Sequence, residues 1–310
     1  MRILFYGTPE FALPTLEALL ADHEVAAVVA QPDRPVGRGH RLSAPPVKRR
    51  AEAAGLPILQ PARVRDPEWP ARLRAFSPDV GVVVAFGQIL PKAVLDVPAR
   101  GSINVHASLL PRYRGAAPIA WSIIRGERTT GITTFQMDEG MDTGDMLLQE
   151  VTTIAPKETA GELATRLAEL GARVLIETLN RLDSLPAIRQ DSSLATSAPR
   201  LRKEDGWLRF HETARDLVNC VRGTNPWPGA AVMTPAGRLL IWSATIASGS
   251  PGPAPGTLVT SDAGHIAIST REELLLPESV QQESRKATRW DDFLRGARLG
   301  PGARFTSIGP

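Results

Sequence analysis

A single cysteine, Cys220, stands among 310 residues, so the chain forms neither an internal disulfide nor a cysteine-based metal cluster. No apolar run approaches the roughly 20 residues that span a bilayer, and no membrane association is expected. The first predicted strand, Ile3-Leu4-Phe5-Tyr6, begins almost at Met1. That leaves no room for a signal or transit peptide and makes the cytoplasm the expected location. The turn after it reads Gly7-Thr8-Pro9-Glu10 and lacks the Gly-x-Gly-x-x-Gly fingerprint, which argues against a nicotinamide enzyme. No Gly-x-Ser-x-Gly elbow surrounds Ser108, so a covalent acyl-enzyme has no support. No internal repeat is visible. Net charge is only +3, so affinity for a polyanion must come from clustered basic residues rather than from their sum.

What is present is the composition of an ordinary globular protein, 43% hydrophobic and 22% charged, long enough for two domains. Residues 1–183 alternate short apolar runs with helical patterns, the signature of an α/β domain with a Rossmann-like, mostly parallel sheet. Thr8 is placed to cap the first helix, with Pro9 at its first position. Residues 184–205 turn short and polar and suggest a linker with little core of its own. Residues 206–310 begin with a helix over 212–222 and continue as short strands broken by Gly and Pro. That pattern predicts a small, open, OB-like β-barrel as the C-terminal domain. The Gly/Pro-rich tail from Leu299 is expected to fray.

Most of the chemistry lies between residues 102 and 115. Ser102-Ile103-Asn104-Val105-His106 alternates polar and apolar, so Asn104 and His106 share one face of a strand. An amide donor beside an acid/base group can hold a carbonyl oxygen and move a proton. A merely structural, hydrogen-bonded pair at a strand end is the alternative. Leu109-Leu110-Pro111 then forms a stiff apolar turn, followed by Arg112 and Arg114. A second stretch, residues 137–145, is acidic and Gly-rich and follows a predicted strand over 131–136. It offers Asp138, Glu139, Asp142 and Asp145, and spacing alone does not choose among them. His106 is the one imidazole near these acids, so no metal site is expected. Phe86, Gly87 and Ile89, at the exit of an apolar run, suit either the wall of a pocket for a flat heterocycle or plain sheet core.

Together, Asn104-x-His106, Ser108-Leu109-Leu110-Pro111-x-Tyr113-Arg114-Gly115 and Asp142-Thr143-Gly144 resemble the folate-dependent formyltransferases. Three further stretches narrow the resemblance to the branch that acts on methionyl-tRNA. They are Gly7-Thr8-Pro9-Glu10-Phe11-Ala12, Gln31-Pro32-Asp33-Arg34-Pro35-x-Gly37-Arg38-Gly39 and Asn225-Pro226-Trp227-Pro228. The resemblance runs from Arg2 to about Phe305. It implies transfer of a formyl group from the co-substrate 10-formyltetrahydrofolate to the methionine amine of initiator methionyl-tRNA, without a metal; a monomer is expected. Asn104, His106 and Asp142 would be catalytic. Ser108, Leu109, Leu110, Pro111, Phe86, Gly87 and Ile89 would contact folate, largely through backbone groups at 108–111. Arg38, His40, Arg41, Lys48, Arg202 and Lys203 would contact tRNA. In this reading Asn104 donates to the developing oxyanion and a cationic His106 stabilises it. Asp142, if close, favours that cation and takes the amine proton.

Several features leave other readings open. Arg34, Arg38, His40, Arg41, Lys48, Arg49 and Arg50 lie in or beside a Gly/Pro-rich loop that suits either a ligand or plain solvent. The same three catalytic side chains would serve a sugar-nucleotide N-formyltransferase or a formyltetrahydrofolate hydrolase. A non-catalytic RNA-binding protein would leave them unexplained. Finally, Gln281-Gln282-Glu283-Ser284-Arg285-Lys286 stands where the family tends to have Gln-Pro-x-Gly-Lys-Lys. Both cations remain, but the turn-forming Pro and Gly are gone, which puts the loop geometry in question.

Overall fold

The computed structural model describes residues 1–36 and 41–308, which divide into two compact units. Unit 1 comprises Met1–Gly115, Thr129–Thr153 and Ala164–Ala198; unit 2 comprises Ala116–Arg128, Ile154–Leu163 and Pro199–Pro310. The chain opens with β1 (Arg2–Gly7), α1 (Leu13–Asp22), β2 (Glu24–Val29), β3 (Arg34–Val36), β4 (Arg41–Ser43) and α2 (Pro46–Ala53). It continues through β5 (Ile58–Leu59), α3 (Trp69–Arg74), β6 (Val80–Val84), α4 (Lys92–Leu95), β7 (Ser102–His106) and α5 (Pro118–Ile124). Then come β8 (Thr129–Gln136), β9 (Met146–Thr153), α6 (Ala160–Asn180), α7 (Ala214–Gly223), β10 (Ala230–Thr234) and β11 (Gly237–Ala247). The last elements are β12 (Leu258–Thr260), β13 (Ile266–Ser269), β14 (Leu274–Gln282), β15 (Thr288–Arg289) and α8 (Trp290–Ala297).

Unit 1 is built on a seven-stranded sheet in the order β5-β2-β1-β6-β7-β8-β9. The first five strands run parallel, and β8 runs antiparallel to both its neighbours. Parallel strands with helices on both faces need continuous apolar runs, which Ile3-Leu4-Phe5-Tyr6 and Val82-Val83-Val84 provide. One row across this sheet reads Val29, Tyr6, Val83, Asn104, Phe135. A lone amide in that apolar row has no packing reason to be there. On the opposite face Val105 packs against α6 at Gly171. The segment 31–50, which reads as one loop, contains the paired strands β3 and β4 and the first five residues of α2. Thr8 does not cap a helix as its position suggested. Instead its hydroxyl donates to the Phe86 carbonyl at 2.9 Å and accepts from Gln31 N–H at 3.3 Å. The helical turn that follows starts after Pro9, without a side-chain cap.

Unit 2 carries an antiparallel sheet in the order β10-β11-β14-β13-β12, with β15 added beside β14. Its core gathers Leu217, Val221, Ile241, Trp290, Phe293 and Phe305. The two outer strands are bridged by the chain's end rather than by each other. Met233 and Thr306 exchange two backbone hydrogen bonds of 2.9 Å, and Ala303 and Phe305 bond Leu258 and Gly256 at 2.8 Å. The tail therefore does not fray over 302–306: Phe305 is 1% exposed and packs edge-on against Trp290. At 281–286, where Pro and Gly are absent, side chains hold the turn. Gln281 accepts from Trp242 Nε1 at 2.8 Å and donates to the Arg285 carbonyl at 2.6 Å, while Ser284 takes φ +61°.

Candidate active site

Asn104 and His106 sit on β7, whose alternation sends both side chains to the face opposite Val105. Asn104 is half-buried, and its amide has no hydrogen-bond partner among the described residues. His106 is buried, edge-on to Phe135, with Nε2 2.9 Å from the Tyr113 carbonyl. A carbonyl only accepts, so Nε2 carries a proton. The other nitrogen, Nδ1, lies 3.8 Å from Asp142 Oδ2. Oxygens thus face both ring nitrogens.

Of the four acids, Asp142 is the one whose carboxylate lies beside His106. Asp138 is spent inside its own turn, accepting from Thr143 Oγ1 at 2.6 Å and Gly140 N–H at 3.0 Å. Glu139 and Asp145 are exposed. Asp142, at φ +55°, aims inward, and its Oδ2 accepts from Gly115 N–H at 2.7 Å. Hydrogen bonds to charged acceptors are worth about 1.5–3 kcal/mol each, enough to hold a side chain in one rotamer. Oδ1 has no partner among the described residues. Gly144 lets the loop return against β8, since a Cβ there would collide with the Gln136 carbonyl.

The apolar turn is tied down by its own backbone. Thr133 Oγ1 donates to the Ser108 carbonyl at 2.6 Å and accepts from Leu110 N–H at 3.1 Å. Gln149 Nε2 bonds the Leu110 carbonyl at 2.8 Å and Thr133 Oγ1 at 2.9 Å. Arg112 N–H takes the Leu109 carbonyl, Thr196 N–H the Pro111 carbonyl, and Ser108 Oγ the Arg112 carbonyl. Most backbone groups named for folate therefore also hold the turn together. Leu109 is half-buried over Gly131.

Residues missed by the sequence reading lie in the stretch read as a linker. Residues 188–198 run alongside the site: Ile188 pairs with Met146, and Ser197 with Arg114. Thr196 Oγ1 accepts from Tyr113 N–H at 2.9 Å. Gly115, at φ +122°, admits the close pass of the Ala198 carbonyl that a Cβ would block. Gln190, 6% exposed, bonds Arg114 and the 142–144 loop. Short polar residues mask this role, because the pairing uses backbone groups.

Of the other predicted residues, Phe86 is buried edge-on to Tyr6, whose hydroxyl burial leaves without a partner and pushes up in pKa. Gln31 Nε2 also bonds the Phe86 carbonyl. Gly87 takes φ +85°, and Ile89 is 77% exposed, an apolar side chain left open next to the strand exit. Lys48 is not a free cation: Asp33 holds it at 2.8 Å. Hydrogen bonds from Gln60 and Lys48 keep the Asp33 carboxyl below its ordinary range. Arg202 and Lys203 are exposed in unit 2. Arg38 and His40 lie outside the described residues, and Arg41 is described by its backbone alone. No helix among the described residues is long and apolar enough to cross a membrane.

Residues 1–179 match the family described as formyl transferase, and residues 200–298 the family described as formyl transferase, C-terminal domain. The chain is 48% identical over 308 residues to the methionyl-tRNA formyltransferase of Geobacter metallireducens, covering 98% of each. It is 49% identical over 305 residues to that of Citrifermentans bemidjiense, covering 97% of this chain and 95% of the relative. Among solved structures, the sugar 3N-formyl transferase WlaRD shares the fold at a TM-score of 0.65 and 17% identity, covering 92% of this chain and 99% of that one. With both family descriptions matched in order and near-full-length relatives of one name, the chain belongs to the methionyl-tRNA formyltransferase family.

Proposed function

We propose that this chain formylates the methionine amine of initiator methionyl-tRNA, with 10-formyltetrahydrofolate as donor. The observation that carries the catalytic part is the 3.8 Å approach of His106 Nδ1 and Asp142 Oδ2, with side chains only 8% and 17% exposed. The residues present suit the donor. Asn104 offers an amide without a hydrogen-bond partner among the described residues, and Ile89 beside Gly87 offers open apolar surface to a flat ring. Bound 10-formyltetrahydrofolate supplies a one-carbon unit at the formyl level of oxidation. The chain's own work is then threefold. Asn104 donates to the formyl oxygen as charge grows there, a contribution of the kind worth about 100- to 1000-fold in rate. His106, in its protonated form, adds positive charge to the same hollow and gives its proton to the departing nitrogen. Asp142 Oδ1, unoccupied by the internal bond to Gly115, takes the proton that the attacking amine loses.

In the same reading Arg38, His40, Arg41, Arg202 and Lys203 meet tRNA phosphates, while Lys48, paired to Asp33, shapes the loop instead. The test presents purified protein and 10-formyltetrahydrofolate with methionyl-tRNA, an amino-sugar nucleotide, or water alone. Rapid formation of formyl-methionyl-tRNA is expected, with little product in the other two arms. Formylation of the sugar but not the tRNA would reject the proposal.

A further inference from the structure

Gln190 lies outside every motif singled out in the sequence, yet its side chain joins the two stretches that carry the proposed chemistry. Its Oε1 accepts a fork from Arg114, with Nε at 3.0 Å and Nη2 at 2.8 Å. Its Nε2 donates to the carbonyl of Asp142 at 2.9 Å and to that of Gly144 at 2.8 Å. The amide is thus fully used, two bonds accepted and two donated, at a residue 6% exposed. Asp142 is in the left-handed region, at φ +55°, where a residue with a side chain stays only when its surroundings hold it. Gly115 N–H holds its carboxylate; Gln190 holds its backbone carbonyl. Arg114 directly precedes Gly115, so both grips tie the acidic loop to one turn.

We infer that Gln190 is a positioning residue for the formyl transfer. It sets the Asp142 backbone against the Arg114–Gly115 turn, so that one carboxylate oxygen meets both Gly115 N–H and His106 Nδ1. The inference rests on the reading of Asp142 as catalytic. The chemistry of the position is narrow. A guanidinium needs an acceptor there and two carbonyls need donors, which a carboxamide satisfies and a carboxylate or an alkyl group does not.

The test measures kcat and KM for both substrates in Gln190→Leu, Gln190→Glu, Asp142→Asn and the Gln190→Leu/Asp142→Asn double variant. Displacing a catalytic group by about 1 Å can cost on the order of 100-fold, so kcat is expected to fall about 10- to 100-fold in both Gln190 variants. Both KM values should stay within about threefold of the parent. The double variant should be no slower than Asp142→Asn alone, because a misplaced group that is already disabled has nothing left to lose. Equal losses in the two backgrounds would mark Gln190 as structural and overturn the inference. So would a parent-like kcat in Gln190→Glu, or failure of both Gln190 variants to fold. If Asp142→Asn keeps full turnover, the catalytic reading of Asp142 fails first; if it is slow while the Gln190 variants are not, the positioning role alone fails.

Discussion

At His106 the decisive fact is that the protein supplies two oxygens, the Tyr113 carbonyl and the Asp142 carboxylate, one to each ring nitrogen. Asn104, by contrast, has no hydrogen-bond partner for its amide among the described residues, as the proposed donation to a formyl oxygen requires. The unequal treatment of two side chains on one strand face separates a group held ready from a group held open. Cys220 shows the opposite case, a chemically able group kept inert. It is buried in α7 with its thiol donating to the Asp205 carbonyl at 3.4 Å, and burial pushes its pKa up to about 12. The unfolded thiol titrates near 8.5, so its contribution to stability is complete below that pH and is lost as pH rises from there toward the folded value. Alkylation at about pH 9 should therefore report unfolding, and Cys220→Ala should flatten the alkaline decline of the denaturation midpoint. Rapid labelling of the native protein would contradict this.

At the scale of elements, the turn after β7 depends on a neighbour in the sheet. Thr133 on β8 is fully buried and bonds Ser108, Leu110 and Gln149 through one hydroxyl. Thr133→Val keeps the shape but strands the Leu110 N–H and Ser108 carbonyl. A loss of about 1–3 kcal/mol is expected in chemical denaturation, with folate KM raised. An unchanged midpoint would show that other groups hold the turn. The strands themselves were legible: the apolar runs at 3–6 and 82–84 and the alternation at 102–106 coincide with β1, β6 and β7, while their order in the sheet is set by pairings the sequence does not spell out. The resemblance pointed to Asp142, which spacing alone left level with its acidic neighbours; what separates it in space is that Asp138 is consumed by its own turn. Residues 188–198 were not legible, because their pairing runs through backbone groups that leave no apolar period. Thr8 misled for a related reason: a hydroxyl after a strand caps a helix or bridges to another strand, and only the fold decides which.

For the molecule as a whole, the pattern of strands and helices anticipated an α/β part and a small OB-like part but not how the second is completed. The chain's end bridges the outer strands of unit 2 and buries Phe305 against Trp290, although the Gly/Pro content before it suggested fraying. One aromatic anchor outweighs the freedom of the residues that lead to it. Phe305→Ala should cost about 3–5 kcal/mol, read from denaturation followed by Trp fluorescence. A cost below about 1 kcal/mol would mean that the tail contributes little. The proposed formyl transfer depends above all on the pairing of His106 with Asp142. Its most direct test is the single-turnover formylation rate of His106→Ala under saturating 10-formyltetrahydrofolate and methionyl-tRNA. A fall of at least about 100-fold with an unchanged thermal midpoint is expected for loss of an acid/base group. A rate within about threefold of the parent would contradict it.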